Sequence, residues 1–363
     1  MLPLACVLAT VFAVLATVLA LTKKPLACVL ATVFAVLATV LALTKKLTAR
    51  QRWSPREKTI VLTGASSGIG SSLARTYAAQ GAKLYLVARR REALEAACEE
   101  CMAAGASSAK AVVADVSSES GWDAIRSAIG DDTVDLLVLN AGLSMGSPFA
   151  SLSERKEAMG IMKHLMDVNY MGAVGVLDAC LGSMRQAEGG VRLLVVSSVV
   201  GLVAPPTRTG YAASKFALKG FFNALRVELG MSEQVPPTIT LAYPGAVKTN
   251  INRARLRGGV DGGSGAVDLE LDKSMSADRC ASIMARAHAA GCRDVYYSID
   301  GTRVGAVKTR LLRHLAFFFP AGADKVLAKS IGAMSKSRRQ VKGLLKGVAK
   351  LVIASSRFQP TPS

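Results

Sequence analysis

Tyr211 and Lys215 lie four residues apart, with Ser198 thirteen residues upstream. On a helix, residues four apart share a face, so the ammonium can stand beside the phenol. A tyrosine titrates near ~10, too high for acid–base work at neutral pH, and lowering that by ~3 units requires ~4 kcal/mol of preference for the phenolate. A neighbouring cation supplies such a preference. A phenol tuned in this way protonates a carbonyl oxygen as hydride arrives at carbon, or takes the proton from an alcohol in reverse. The Ser198 hydroxyl can hydrogen-bond the same oxygen. The Tyr–Lys spacing alone is common on helix surfaces and gains meaning from what precedes it.

What precedes it is a glycine-rich turn, Gly64, Ala65, Ser66, Ser67, Gly68, Ile69, Gly70, after an apolar run. Glycine lets the backbone turn sharply against a phosphate, and a helix starting there offers its N-terminus to negative charge. The same residues also read as a nucleophile elbow, Gly64-x-Ser66-x-Gly68. A hydrolase would then need a downstream acid and histidine, and His164, His288 and His314 stand in no persuasive loop setting. About twenty residues past the glycines comes Arg89-Arg90-Arg91. An acid there would bind the ribose 2′-hydroxyl of NAD, whereas arginine accommodates the 2′-phosphate of NADP. The expectation is NADP(H) ahead of NAD(H).

The elements that must hold these groups alternate. Thr59–Thr63, Lys83–Ala88, Ala109–Ala114, Val134–Leu139, Val191–Ser197 and Thr238–Ala242 are short apolar runs that read as buried parallel strands, with a seventh at Asp294–Ser298. Between them Gly70–Gln80, Arg91–Ala104, Glu154–Met184 and Tyr211–Leu229 read as helices. This alternation predicts a doubly wound α/β parallel sheet of the Rossmann type, occupying residues 59–302.

With these motifs together the chain resembles the short-chain dehydrogenase/reductase family over about residues 59–300. Gly64, Ser66, Ser67, Gly68, Ile69 and Gly70 match its cofactor turn. Asp115 and Val116 resemble its adenine contact, and Asn140, Ala141 and Gly142 its motif after the fourth strand, although Leu139 stands where many members carry another asparagine. Asn169 resembles the asparagine that holds a proton-relay water. Ser198, Tyr211 and Lys215 match the catalytic set, and Lys215 would also bond the nicotinamide ribose. Pro244, Gly245, Val247 and Thr249 resemble the loop on the nicotinamide side. The run Tyr211–Leu229 and the stretch Met275–Cys280 are similar to the branch of membrane-anchored dehydrogenase/reductase member 7 and 11β-hydroxysteroid dehydrogenase type 1. That likeness implies a lipophilic ketone, aldehyde or alcohol as substrate, steroid or retinoid in kind, at the endoplasmic reticulum, and a possible homodimer. A sphingoid-ketone reductase, or a lipid-surface binding protein that keeps the fold without the chemistry, are the alternatives.

Charge separates the ends from the middle. Of the net +19, residues 1–58 carry +7, residues 59–302 carry zero and residues 303–363 carry +12. A nucleic-acid enzyme would carry its positive charge on the working face, so no nucleic-acid partner is expected. Basic ends around a neutral core suit an anionic membrane surface. Pro3–Lys24 and Pro25–Lys46 are the same 22 residues, each an apolar stretch long enough to cross a bilayer. At least one is expected to anchor the chain. Lys45 to Lys58 is richer in cations than Lys23 and Lys24, which places the catalytic domain in the cytosol. In the tail, Leu344, Leu345, Val348, Leu351 and Val352 recur near helical spacing among Lys342, Lys346 and Lys350, which reads as a basic amphipathic helix or as a disordered basic tail. The glycines of residues 250–275 suggest a substrate lid or a flexible surface insertion. Cys98 and Cys101 read as ordinary helix cysteines; zinc would need further ligands at suitable spacing, so no metal is expected.

Overall fold

The computed structural model describes residues 53–249, Ile251, Leu256 and residues 274–297. The apolar repeats, the basic tail and most of the glycine-rich stretch of residues 250–275 lie outside the described residues. Among the described residues no helix is long and apolar enough to cross a membrane.

Seven parallel strands make one sheet: β1 (Thr59–Thr63), β2 (Lys83–Ala88), β3 (Ser108–Val113), β4 (Leu136–Leu139), β5 (Arg192–Val196), β6 (Thr238–Tyr243) and, at the far edge, β9 (Asp294–Tyr296). Their order is β3-β2-β1-β4-β5-β6-β9. Ile60 of β1 pairs with Leu84 on one side and Leu136 on the other. Central strands are covered on both faces, which is why they read as unbroken apolar runs; all of Leu136–Leu139 is buried. The edge strand β3 keeps Lys110 and Ala111 exposed. Two short strands, β7 (Val247–Lys248) and β8 (Met275–Ser276), pair separately.

Helices cover both faces. One side holds α1 (Gly68–Ala78), α2 (Arg91–Ala103) and α8 (Ala277–Ala289). There the Asp278 carboxylate of α8 accepts from Ser72 Oγ at 2.6 Å and from Arg75 at 2.9 Å on α1. The other side holds α3 (Glu119–Ile129), α6 (Gly172–Arg185) and α7 (Thr209–Ser232) over a core that includes Val61, Leu137, Leu193, Val176 and Phe222. Each such side chain removed from water contributes about 1.5–3 kcal/mol.

The long helix predicted over Glu154–Met184 starts four residues late, at Ala158, and runs to Arg185 with one π turn inside it. Residues Phe149–Glu154 form α4, and Lys156 takes φ +58° before α5 (Ala158–Met166) begins. A π-helical turn, Asp167–Met171, then joins α5 to α6. The widened turn carries the buried Asn169, whose side chain is bonded out of the helix. Such bulges recur at functional positions.

Candidate active site

All seven strands of the sheet point the same way, and the order reverses between β1 and β4, which opens a crevice at their C-terminal ends. Gly64 follows β1, Arg89 follows β2, Asp115 follows β3, Asn140 follows β4, Ser198 follows β5 and Pro244 follows β6. The predicted residues are thus brought to one rim by topology.

The chain leaves β1 through Gly64 at φ +67°. A Cβ on Gly64 would lie 2.8 Å from Asn140 Nδ2, and one on Gly70 only 2.0 Å from the Gly64 carbonyl oxygen. Gly64 therefore supplies a left-handed turn, and Gly70 lets α1 pack on that turn. A Cβ on Gly68 would lie 3.0 Å from Thr249 Cγ2, so the segment after β6 closes over the turn. Ser67 precedes α1 in extended backbone and its side chain makes no capping hydrogen bond. First-turn amides of a helix lack intrahelical partners, and the Ser67 side chain leaves those of α1 uncapped. This cradle, open only because side chains are missing, fits a dinucleotide pyrophosphate.

At the neighbouring strand ends, Arg89 Nη1 lies 3.8 Å from Asp115 Oδ2. Burial pushes the Asp115 carboxyl up, but the Ser117 N–H and O–H, with Arg89 beyond them, outweigh it and hold it below its ordinary value. Arg90, read from the sequence only as part of a basic run, sends Nη2 to within 3.3 Å of Ser66 Oγ in the glycine turn. The turn and the arginine pair therefore form one surface.

Ser198, Tyr211 and Lys215 are all buried. Ser198 Oγ accepts from Val200 N at 3.2 Å and lies 3.5 Å from the Pro244 oxygen. Lys215 is buried in α7, and its Nζ donates to the Val196 carbonyl at 3.1 Å, 5.9 Å from the centre of the Tyr211 ring. Burial pulls its ammonium down to about 8. A Cβ on Gly142 would stand 3.5 Å from Lys215 Nζ and 3.1 Å from Asn169 Oδ1. A side chain at position 142 would therefore crowd Asn169 and reach the lysine.

Residues 58–258 match the short chain dehydrogenase family. The chain belongs to this family of oxidoreductases. It is 31% identical to human Dehydrogenase/reductase SDR family member 7 over 254 residues, 69% of this chain and 72% of that protein. Against the Hydroxysteroid 11-beta-dehydrogenase 1-like protein of Xenopus tropicalis it is 39% identical over 198 residues, 52% of this chain, and spans 64% of that protein's length. Among solved structures, a short chain dehydrogenase/reductase from Burkholderia phymatum in complex with NAD shares the fold, with TM-score 0.60 and 24% identity over 73% of this chain and 96% of that one. An alcohol dehydrogenase from Thermococcus sibiricus complexed with 5-hydroxy-NADP gives TM-score 0.52 and 26% identity over 63% and 88%.

Within the dehydrogenase fold, two of the predicted residues have most of their side-chain capacity spent inside the protein. Asn140 Nδ2 donates to the carbonyls of Thr63 at 2.9 Å and Gly64 at 3.2 Å, while the Asn140 and Ala141 amides donate to Thr63 Oγ1. Asn140 is thus the brace of the glycine turn. Asn169 Oδ1 accepts from Leu143 N at 2.7 Å, and its Nδ2 donates to Leu143 O at 3.0 Å and Ser214 Oγ at 2.9 Å. Ser214 in turn donates to Tyr211 O at 2.8 Å. Asn169 therefore ties the segment after β4 to the first turns of α7, through Ser214, which lies between Tyr211 and Lys215 and belongs to no sequence motif named above. Val116 is buried in the core and its carbonyl accepts from the Trp122 indole at 2.6 Å.

Proposed function

We propose that this dehydrogenase is a membrane-anchored, NADP(H)-dependent oxidoreductase interconverting a lipophilic ketone or aldehyde and its alcohol. The observation that supports the chemistry is the buried Lys215, 5.9 Å from the centre of the Tyr211 ring and bonded to the Val196 carbonyl two residues before Ser198. The bound nicotinamide supplies or accepts the hydride. Gly64, Gly68 and Gly70 would hold the pyrophosphate, with Arg89 and Arg90 toward the adenosine ribose and Thr249 across the turn. Tyr211 gives its phenolic proton to the carbonyl oxygen during reduction and takes it back during oxidation. Lys215, in its cationic form, favours the phenolate and so lowers the work of that transfer. Ser198 donates to the same oxygen, and Asn169 keeps the segment around Leu143 and the first turns of α7 in register.

Two arginines and a serine suit the three acceptor oxygens of a 2′-phosphate, which supports NADP(H). Tyr211 packs with Met145, Leu152 and Leu165, with Leu256 and Val200 against them, so the substrate side is apolar. That wall, and the relatives named as hydroxysteroid dehydrogenases, favour a steroid-like carbonyl. The apolar repeats before Lys46 are read as the anchor, at the endoplasmic reticulum, with the catalytic domain cytosolic. The test is to follow NADPH and NADH oxidation by the full chain in detergent against steroid ketones, retinal and small ketones. Faster turnover with NADPH and a bulky ketone is expected; no oxidation with any carbonyl would overturn the reading.

A further inference from the structure

Met145 follows β4 on the segment that lines the Tyr211 cluster, and it is fully buried. Its carbonyl accepts from the Arg208 guanidinium, as does Ser144 Oγ at 2.9 Å, and its sulfur accepts from the Gly210 amide at 3.2 Å. Arg208 immediately precedes α7, three residues before Tyr211. On its other edge the same segment is paired: Leu256 N donates to Ser144 O at 2.9 Å, and Gly146 N to Leu256 O at 3.3 Å. Ser144–Gly146 is thus pinned between Leu256 and the start of the helix that carries Tyr211.

The backbone before Arg208 is strained. Thr207 has φ +67°, a left-handed conformation that a β-branched residue adopts only when its surroundings fix it. The Arg208 guanidinium reaches two buried acceptors here, and hydrogen bonds from a charged donor are stronger than neutral ones. Both acceptors belong to buried residues, so losing the guanidinium carries a desolvation cost.

We propose that Arg208 is a positioning and specificity-determining residue, which holds the Ser144–Met145 wall against Tyr211 and thereby sets which sizes of carbonyl reach the phenol. The inference rests on the carbonyl chemistry proposed above for its substrate consequence, but not for the pinning itself. A tight wall favours a bulky apolar substrate that fills it. A loosened wall loses that preference while leaving the phenol and the cofactor cradle in place.

The experiment compares the full chain in detergent, saturated with NADPH, with Arg208→Gln, Arg208→Lys and Ser144→Ala. Hydrogen exchange of the peptide covering Leu143–Ser147 should speed by about tenfold in Arg208→Gln and less in the other two, since a lysine replaces part of the donor set and Ser144→Ala keeps the bond to the Met145 carbonyl. The preference in kcat/KM for a steroid ketone over cyclohexanone should fall by about fivefold or more, with NADPH affinity within about twofold. Unchanged exchange in all three variants overturns the pinning. Equal losses for both ketones mean a merely structural arginine and overturn the specificity role. Absence of turnover in the unaltered chain would sink the carbonyl reading, while the exchange comparison still decides the pinning.

Discussion

The Lys215 ammonium donates to the Val196 carbonyl across 3.1 Å, and this bond joins α7 to the end of β5, two residues before Ser198. One buried cation thus holds the helix bearing Tyr211 against the strand bearing Ser198. Burial has a cost, because the ammonium falls to about 8, below its unfolded value near ~10.4. The unfolded chain therefore binds this proton more tightly. Stability from this group is greatest above ~10.4, falls as pH drops toward 8, and stays low below that. Lys215→Met should raise unfolding free energy at pH 7 by on the order of 1–3 kcal/mol, less whatever the orphaned Val196 carbonyl costs, while turnover is lost. Urea denaturation with a parallel activity assay checks both signs.

The same value sets a pH limit on catalysis. Carbonyl reduction needs a protonated Tyr211 beside a charged Lys215, and the ammonium is lost as pH rises through about 8. Log kcat/KM for reduction should be level near pH 7 and fall above about 8. A profile level to pH 10 would separate the lysine from the proton transfer.

Cofactor choice should follow the arginines at the end of β2. Arg89 pairs with Asp115 and Arg90 reaches Ser66. Replacing both with alanine should raise KM for NADPH about tenfold or more and leave that for NADH within about twofold, since only the 2′-phosphate loses its partners. Steady-state kinetics with the two cofactors decides this.

Much of this arrangement can be read from the chain, and the exceptions have a common cause. The strands announce themselves as apolar runs because both faces of the sheet are covered, and Gly64 to Gly70 are spaced by local backbone need. The late start after Lys156 and the π turn at Asn169 carry no glycine or proline to announce them, so residues 154–184 read as one regular helix. The π turn exists because Asn169 is claimed by Leu143 and Ser214, contacts distant in sequence. Arg208 is likewise opaque: its partners lie 63 and 64 residues away. Asn140 was legible as a motif, but its task as a brace for the turn appears only when β1 and β4 are seen side by side.

A buried histidine gives the fold an acid limit. His288 Nδ1 lies 3.1 Å from Thr240 Oγ1, which itself donates to the Cys292 carbonyl, so the imidazole donates through Nδ1. Burial, helped by Arg192, lowers it to about 3, against an unfolded value near ~6.5. It is neutral at pH 7, and its contribution to stability is lost as pH falls from ~6.5 toward 3, by up to about 1.4 kcal/mol per unit. His288→Asn should lower stability at pH 7 and flatten its dependence between pH 4 and 6. Thermal or urea unfolding across that range measures the slope.

Tyr211 passes the proton in this mechanism, and its hydroxyl can be removed alone. Tyr211→Phe keeps the ring among Met145, Leu152 and Leu165. With the ketone that the unaltered chain reduces best, kcat/KM should fall by about 1000-fold while the dissociation constant for NADPH stays within about twofold. Turnover in Tyr211→Phe equal to that of the unaltered chain would contradict the account.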